Sequence, residues 1–397
     1  MGVIIAGRYE KDDCEVRMNP LESGVESCLN LESSVDNLYG EHLRSQTWAA
    51  IQSLQLKGIE VTVRDRGAMD WVLQARIEAA ARRLFPDLSH SILPERDGDP
   101  PESRKERLRR SRLYLPGNNP TLMLNAFLFA PDGIILDLED SVHPSEKDAA
   151  RILVRNALRA MDFAGAERMV RINPLPGGLD EILTLLPHGI DMILIPKAEA
   201  AEDIGQAGAF IDALNPGRPV FLMPIIETAR GLMHAYDIAR SHPRVAALAF
   251  GAEDYTRDIG AERTREGRET FTARCHLVAA ARAAGIQPID TVFSDVEDEE
   301  GLFLSVTEAR SLGFDGKGCI HPRQIETIHR ALRPAEEEIR YAIKVKRAME
   351  DAEARGLGVI SIGSKMVDPP VVARALKVLS LAKVYGIDVT SMDEEGR

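Results

Sequence analysis

Eight short apolar segments recur between Leu113 and Ile320, separated by stretches that are mostly long enough to form a helix. Short strands that alternate with helices predict parallel strands joined by crossover connections. Eight such steps in succession match the (β/α)8, or TIM, barrel. An open doubly wound sheet is the competing layout, but no G-x-G-x-x-G sequence follows any segment. The segments span 113–115, 133–137, 169–172, 192–195, 220–223, 247–250, 288–292 and 318–320.

The remainder of the chain divides into three parts. Residues 1–85 combine strand-like and helix-like patterns and predict a small α+β domain. Residues 86–108 contain four prolines and the start of a charged run, which is typical of a linker. Residues 334–397 predict a C-terminal helical extension beyond a barrel of residues 109–333. Predicted helices cover 41–56, 69–85, 180–186, 200–214, 229–241, 270–284 and 299–312.

The composition excludes several classes of partner. A net charge of −13 argues against a nucleic-acid partner, which would require a basic face. No apolar run approaches the roughly 18 residues of a transmembrane helix. The four cysteines form neither a C-x-x-C pair nor a zinc-like cluster, so we expect free thiols in a reducing cytoplasm.

Two apolar segments lead directly into carboxylates. Glu227 ends one of them and Asp254 ends the next, 27 positions later, which is the length of one strand–helix–strand step. Strand ends of a barrel meet on one rim, so we expect these acids to lie close together. Acidic side chains with little else to neutralise them favour a hard cation such as Mg²⁺.

Polar residues follow most of the other predicted strands. Arg171 offers a permanently charged fork that suits a substrate carboxylate. Lys197 fits either a site residue or a salt bridge within the barrel, and His321 fits either a base or a packing residue. Lys147 and Arg151 lie one helical turn apart and could meet phosphates or form an ordinary solvated helix face. The other polar residues at or just after the ends of predicted strands are Asp137, Glu139, Asp140, Asn173, Glu253 and Asp290.

Residues 109–390 resemble the citrate lyase β-subunit-like family, within the HpcH/HpaI aldolase superfamily that also includes malyl-CoA and citramalyl-CoA lyases. By this resemblance, Glu227 and Asp254 are the Mg²⁺ ligands and Arg171 holds the keto-acid carboxylate. Asp368 falls on the aspartate that a neighbouring subunit contributes to the active site. The resemblance also implies coenzyme A thioester substrates and a homotrimer or hexamer. The matching stretches are 109–118, 136–142, 170–173, 195–197, 226–231, 250–254, 290–293, 316–322 and 365–368.

Residues 1–85 resemble the acyl carrier (γ) subunit of citrate lyase. The matching stretches are Ala6-Gly7, 29–40 and 63–76. The serine that carries the prosthetic arm in that family aligns with Lys11. A lysine cannot form the phosphodiester link, so the resemblance implies a carrier-like domain without its carrier group.

These features predict a Mg²⁺-dependent carbon–carbon lyase. The expected substrate is a free β-hydroxyacyl-CoA thioester such as malyl-CoA or citramalyl-CoA, cleaved to an acyl-CoA and an α-keto acid, with Asp368 as the general acid. One alternative is a fused citrate lyase component that cleaves a carrier-bound citryl thioester to oxaloacetate; Lys11 weighs against it. Another is a non-catalytic assembly subunit, against which the acids and Arg171 weigh. Pyruvate, glyoxylate and oxaloacetate all remain open as the keto acid.

Overall fold

The computed structural model describes residues 3–96, 98–355, 360–362 and 365–394. The chain forms two compact units, Met1–Ile328 and His329–Arg397. The first contains a small N-terminal sheet and a closed barrel, and the second is mainly helical. No helix in the described ranges is long and apolar enough to span a membrane.

The N-terminal sheet contains one hairpin that the sequence did not lead us to expect. Its strands are β1 (Ile4–Gly7), β2 (Cys14–Pro20), β3 (Cys28–Ser33) and β4 (Ile59–Asp65), in the order β1-β2-β4-β3. Helices α1 (Asp36–Ser53) and α2 (Asp70–Leu84) complete the domain. Strands β3 and β4 overlap the strand-like patterns of residues 30–35 and 59–64, and both helices overlap their predicted ranges. The alternating burial of Cys14, Val16 and Met18 is the signal that identifies β2.

Eight parallel strands, all within residues 111–319, close into the predicted barrel. Each pairs with the strands before and after it in sequence, and the last pairs with the first. Buried apolar side chains such as Ile135, Met223 and Ile289 form a core cluster among these strands. The strands are β5 (Ser111–Pro116), β6 (Gly133–Asp137), β7 (Glu167–Arg171), β8 (Met192–Ile195), β9 (Phe221–Ile226), β10 (Ala247–Phe250), β11 (Gln287–Asp290) and β12 (Gly316–Cys319).

The five helices predicted between the barrel strands are observed, one of them divided in two, whereas α3, α9 and α12 lie outside the predicted ranges. The helix predicted over 229–241 is divided in two at His234, where the backbone leaves helical geometry. The helices are α3 (Pro120–Met123), α4 (Lys147–Ala160), α5 (Leu179–Leu185), α6 (Ala201–Leu214), α7 (Ala229–Met233), α8 (Ala235–Arg240), α9 (Ala252–Asp258), α10 (Arg268–Ala283), α11 (Glu299–Leu312) and α12 (Arg323–Leu332).

The N-terminal domain packs on the barrel through a buried ion pair between helices α2 and α4. The Arg155 guanidinium donates to both carboxylate oxygens of Glu78, at 2.9 and 2.8 Å, and neither side chain is more than 5% exposed. Arg83 pairs with Asp148 at 2.6 Å at the edge of the same contact. Burial of a bidentate pair demands fixed geometry, so the domain is held in one orientation on the barrel.

The predicted linker has neither helix nor strand in its described residues, but it is fastened to the barrel. Ser103 Oγ donates to Glu167 Oε1 at 2.5 Å. The Arg109 guanidinium forms a fully buried pair with the same carboxylate at 2.7 Å. The linker is therefore held against the barrel by specific contacts.

The second unit packs two long helices around a core of its own. These are α13 (Glu336–Ala354) and α14 (Pro369–Val384), and Ile339, Ala342 and Leu379 lie in the core between them. A short hairpin of β13 (Ile360–Ile362) and β14 (Lys365–Val367) connects them, and α15 (Val389–Glu394) follows. Residues 356–359 and 363–364, within the predicted extension, lie outside the described residues.

Candidate active site

A cavity of about 440 Å³ opens at the carboxyl ends of the barrel strands. It brings together three of the predicted site residues, Arg171, Glu227 and Asp254. Catalytic groups of (β/α)8 enzymes sit at this face of the fold. The other polar residues on its wall are Arg112, Tyr114, Asp137, Asp140, Ser141, Glu253, Asp290 and Thr291.

Glu227 follows strand β9 and is almost completely buried, at 3% exposure. Its Oε1 accepts a hydrogen bond from the backbone N–H of Lys197 at 2.7 Å. Lys197 holds a left-handed backbone conformation, with φ of +50°. Burial, assisted by the charge of Asp254, raises the pKa of Glu227 to about 7. A cation beside this buried side chain would favour its ionised carboxylate form over the protonated acid.

Asp254 lies in the first turn of α9, directly after strand β10. Its side chain is mostly buried and forms an ion pair with Arg257, one turn along the same helix. The Arg257 side chain is 75% exposed, so this partner is screened by water. The turn is anchored where the Ala252 N–H donates to Thr291 Oγ1 at 3.2 Å.

Arg171 is fixed by carboxylates of the protein itself. Its Nε and Nη2 donate to the two oxygens of Asp137 at 2.6 and 2.7 Å, and its Nη1 contacts Glu139 at 3.0 Å. Although burial lowers the pKa of Arg171, the hydrogen bonds and charge of Asp137 raise it above its ordinary value. Because a guanidinium has five N–H donors, two remain after these three contacts.

Lys197 forms the barrel salt bridge that the sequence left open as its alternative role. Its Nζ donates to Glu139 Oε1 at 2.5 Å, and Asp140 lies 3.9 Å away. Glu139 therefore joins Lys197 to Arg171. Burial raises the pKa of Glu139, and the neighbouring Asp140 adds to the effect.

The charge balance of the cavity fits a hard cation. The two central cations, Arg171 and Lys197, are already paired with the carboxylates of Asp137 and Glu139. Among the described residues, Asp254 has the screened Arg257 as its ion-pair partner, whereas the side-chain charges of Arg171 and Lys197 act on Glu227 and Asp254 only at longer range. Within the described residues, no group of three or more His, Cys, Asp or Glu side chains is arranged to hold a metal. Mg²⁺ needs only one or two protein carboxylates, because waters and substrate oxygens complete its shell.

Two polar residues of strand β5 line the cavity and were missed from the sequence. Tyr114 lies beside Arg171, with 5.4 Å between the guanidinium carbon and the ring centroid. Arg112 is buried beneath the cavity, at 1% exposure. The alternation Arg112, Tyr114, Pro116 places all three on one face of the strand, which is the signal that could have identified them.

The remaining predicted residues have structural partners. Asp290 is shared by Arg274 and Lys317, at 3.0 and 2.7 Å. Lys147 donates to Asn173 Oδ1, which favours a role in fixing that loop. His321 Nδ1 accepts from the backbone N–H of Arg323 at 3.2 Å, a local turn contact that favours the packing role.

Asp368 lies in the second unit, at the residue that precedes α14. Its side chain is exposed. It makes no side-chain capping hydrogen bond to the helix, although it occupies the capping position. Its predicted place in the active site of a neighbouring subunit stays a prediction.

Lys11 lies in the turn of the β1–β2 hairpin, and this turn contacts the barrel rim. Thr121, in the short helix after strand β5, donates its hydroxyl to the carbonyl of Lys11. The Arg76 guanidinium is bidentate to Asp13 and donates to the carbonyl of Asn118 at 2.9 Å. The Lys11 side chain itself is 80% exposed.

Comparison with protein families gives matches over both parts of the first unit. Residues 110–322 match the family described as HpcH/HpaI aldolase/citrate lyase. Residues 2–84 match the malonate decarboxylase delta subunit family, an acyl-carrier-like domain. The resemblance expected for each part from the sequence is therefore confirmed.

Individual proteins give the same result. The chain is 43% identical over 298 residues to a citrate lyase subunit beta of Leuconostoc mesenteroides, covering 73% of this chain and 97% of that protein. It is 32% identical to the mitochondrial citramalyl-CoA lyase of Rattus norvegicus, covering 69% of this chain and 86% of that protein. A crystal structure of a Mycobacterium tuberculosis protein with magnesium, acetoacetate and coenzyme A superimposes with a TM-score of 0.59 at 28% identity, covering 70% and 100% of the two chains.

Proposed function

This chain belongs to the HpcH/HpaI aldolase/citrate lyase family of oxo-acid lyases, and we propose that it is a Mg²⁺-dependent enzyme cleaving a β-hydroxyacyl-CoA thioester. The products are an acyl-CoA and an α-keto acid. The observation that carries the proposal is the pair Glu227 and Asp254 on the wall of one cavity, with the nearby cations engaged elsewhere.

Glu227 and Asp254 are the proposed ligands of the metal. When bound, Mg²⁺ supplies a Lewis acid that stabilises negative charge on the substrate hydroxyl oxygen. The Lys197 N–H fixes one oxygen of Glu227, and the glycine at position 251 leaves room for the other. The protein thus presents the ligand oxygens in a fixed position before substrate arrives.

Arg171 is the proposed anchor for the carboxylate of the keto-acid half. Asp137 holds its guanidinium in one plane, and the N–H groups that Asp137 and Glu139 do not use are available to a substrate. A guanidinium that is already in place speeds the reaction by orienting the substrate, because the reacting bond is then held in one position. A charged fork of this kind also excludes substrates that lack the carboxylate.

Cleavage moves one proton from oxygen to carbon. The β-hydroxyl loses its proton, and its electrons form the new carbonyl of the keto acid. The electrons of the broken carbon–carbon bond move to the acyl thioester as an enolate, which takes a proton at its α-carbon. We assign the proton donor to Asp368 of a neighbouring subunit in a homotrimer or hexamer.

A free CoA thioester is favoured over a carrier-bound one. Lys11 stands where a carrier serine would be needed, and the domain that bears it is fixed to the barrel by the Glu78–Arg155 pair. Intact-mass measurement distinguishes the two cases: a mass equal to the polypeptide supports the free thioester. An added phosphopantetheine-type group would instead restore the fused citrate lyase alternative.

The four cysteines are free, in keeping with the proposed cytoplasmic location.

The proposal is tested with a panel of CoA thioesters. Malyl-, citramalyl- and citryl-CoA are each incubated with the protein and Mg²⁺, and keto-acid release is followed by a coupled dehydrogenase. We expect turnover of at least one thioester, and its loss on addition of a chelator. Failure on every member would favour the non-catalytic assembly subunit.

A further inference from the structure

We propose that the protein binds a phosphate-type anion at the amino end of the barrel, opposite the active-site cavity. The site is a cluster of three arginines, which we call the arginine cluster: Arg96 of the linker, Arg159 in the last turn of α4 and Arg168 in strand β7. The inference does not depend on the proposed lyase activity. It begins from guanidinium nitrogens that are buried without a hydrogen-bond partner.

Arg96 and Arg168 meet at the buried Gly189. A β-carbon at position 189 would lie 2.8 Å from Arg96 Nη2 and 3.0 Å from Arg168 Nη1. Both of these nitrogens are buried, and neither has a hydrogen-bond partner. A buried cation without a hydrogen-bonded counter-charge is costly, and an anionic ligand would remove that cost. The two side chains remain partly exposed, so an anion from solvent can reach the outer nitrogens of each guanidinium.

The carboxylates beside the cluster do not neutralise it. Asp99 Oδ1 lies 3.4 Å from Arg96 Nη2 without making a hydrogen bond, and the Asp99 side chain is 94% exposed. Asp191 is buried, but Arg218 engages it at 2.6 Å. The second oxygen of Asp191 accepts from the backbone N–H of Arg168 at 3.0 Å, and its charge reaches the Arg168 guanidinium only at longer range. Among the described residues, the cluster therefore has an excess of positive charge.

Arg159 adds a third guanidinium with no charged partner of its own. Its Nε donates to the carbonyl of Pro94 at 2.8 Å, and its Nη1 lies 3.5 Å from His188 Nδ1. Burial, followed by the charge of Arg96, lowers the pKa of Arg159, so the two guanidinium groups lie within electrostatic range of each other. The three arginines thus approach one region from the linker, a helix and a strand.

A phosphate group suits this arrangement better than a carboxylate does. A phosphate presents several acceptor oxygens in different directions and close to two negative charges, whereas a carboxylate presents two oxygens in one plane and a single charge. Guanidinium groups bind phosphate oxygens through paired N–H donors. The ligand class is therefore a phosphate, free or as part of a larger molecule.

The site depends on the segment that joins the two domains. Arg96 lies outside both stretches that match known families, whereas Arg159 and Arg168 belong to the barrel. An anion shared by these three side chains would fasten the linker to the barrel. The site is thus a property of this fused chain, and neither domain forms it alone.

Calorimetric titration with inorganic phosphate tests the proposal. The metal-free protein is used at constant ionic strength in chloride, and we expect saturable binding of one anion per chain with a rise in melting temperature. Arg96→Met and Arg168→Met should each weaken binding by at least about tenfold, because each removes one charged fork and keeps a similar shape. Arg244→Met is the matched control, since Arg244 lies near the start of strand β10 but pairs with Asp212 at 2.6 Å.

Two results would overturn the proposal. One is the absence of phosphate binding by the unsubstituted protein, and the other is an unchanged affinity in both Arg96→Met and Arg168→Met. Arg171→Met separates the active-site cavity from the cluster: we expect it to retain binding, and loss of binding there would place the anion in the cavity and reject the site. If Arg168→Met fails to fold, Arg96→Met decides, because residue 96 lies outside the barrel strands.

A second probe identifies the source of the phosphate. Adenosine monophosphate is titrated under the same conditions. Binding as tight as that of inorganic phosphate, and lost in Arg168→Met, would show that the cluster accepts the phosphate of a larger molecule. Binding of inorganic phosphate alone would assign the site to the free anion. Neither measurement requires turnover, so failure of the proposed lyase function would leave this result unaffected.

Discussion

Glu227 and Gly251 are fitted to each other: a β-carbon at position 251 would lie 2.4 Å from Glu227 Oε2. Gly251 has φ of −109°, which any residue can adopt, so the need for glycine comes from the carboxylate and not from the backbone. The space that the glycine leaves is part of the proposed metal site.

Replacing this glycine should damage the site more than the fold. We expect Gly251→Ala to displace the Glu227 carboxylate and to lower kcat/KM at least about tenfold, with a raised Mg²⁺ requirement. Gly205→Ala is the control, because its β-carbon would meet only an ordinary contact at 3.5 Å. A Gly251→Ala enzyme with an unchanged Mg²⁺ titration would contradict this account.

The two proposed metal ligands should be separable from the fold. Glu227→Ala and Asp254→Ala are expected to abolish Mg²⁺-dependent turnover and also the rise in melting temperature on Mg²⁺ addition. The metal-free proteins should still melt cooperatively, since neither carboxylate forms an ion pair with a buried cation. Glu202→Ala is the control, because Glu202 is exposed in the first turn of α6 and does not line the cavity. Full Mg²⁺-dependent turnover in either ligand variant would reject the assignment.

Asp368 should be required for proton transfer at carbon. With acetyl-CoA as the probe, we expect the unsubstituted enzyme to exchange methyl protons with deuterium from solvent, and Asp368→Asn to block the exchange. Asp388→Asn is the control in the same unit, because Asp388 Oδ1 accepts from the backbone N–H groups of Thr390 and Ser391, at 2.9 and 3.2 Å. Mass spectrometry of the recovered acetyl-CoA measures the uptake. Equal deuterium uptake in the Asp368→Asn enzyme would remove the residue from the mechanism.

The stability of the barrel should fall in mild acid because of His188. Burial, followed by the charges of Arg155 and Arg159, lowers the pKa of His188 to about 4 from 6.5. Between these pH values the unfolded chain binds more protons at this site than the folded one. The free energy of unfolding therefore falls as the pH drops from 6.5 towards 4, by up to about 1.4 kcal/mol per pH unit.

Chemical denaturation across this pH range measures the effect. His188→Gln should flatten the pH dependence relative to the unsubstituted protein. His143→Gln should not, because His143 is exposed and forms only a local contact with Ser145. Identical pH slopes for the His188→Gln and unsubstituted proteins would count against the explanation.

The barrel could be predicted because each strand is a short apolar run with a clear end. The same rule placed Glu227, Asp254 and Arg171 on one rim, and the structure brings all three to one cavity. Their roles, the domain boundaries and Asp368 remain predictions. The hairpin β1–β2 was missed because β1 has only four residues and the apolar alternation is confined to β2.

The spacing of residues in the sequence does not determine which side chains contact one another inside the site. The sequence predicted Arg171 as a fork for a substrate carboxylate and did not foresee its pair with Asp137, which neighbouring strands β6 and β7 place directly opposite it. Arg112 escaped notice because a charged residue near the start of a strand is normally solvated. The alternation places Arg112 on the same face of the strand as Tyr114, and the closure of the barrel shows that this face points inward.

The Glu78–Arg155 pair has a consequence for how the protein is supplied with substrate. A mobile acyl carrier must leave one enzyme and reach the next within each turnover. Separation here would break the buried Glu78–Arg155 pair, the Arg83–Asp148 pair and the hydrogen bond from Arg76 to Asn118 together. We therefore expect the N-terminal domain to stay on the barrel during turnover. It lies beside the mouth of the barrel, and the substrate must reach the cavity by its own diffusion.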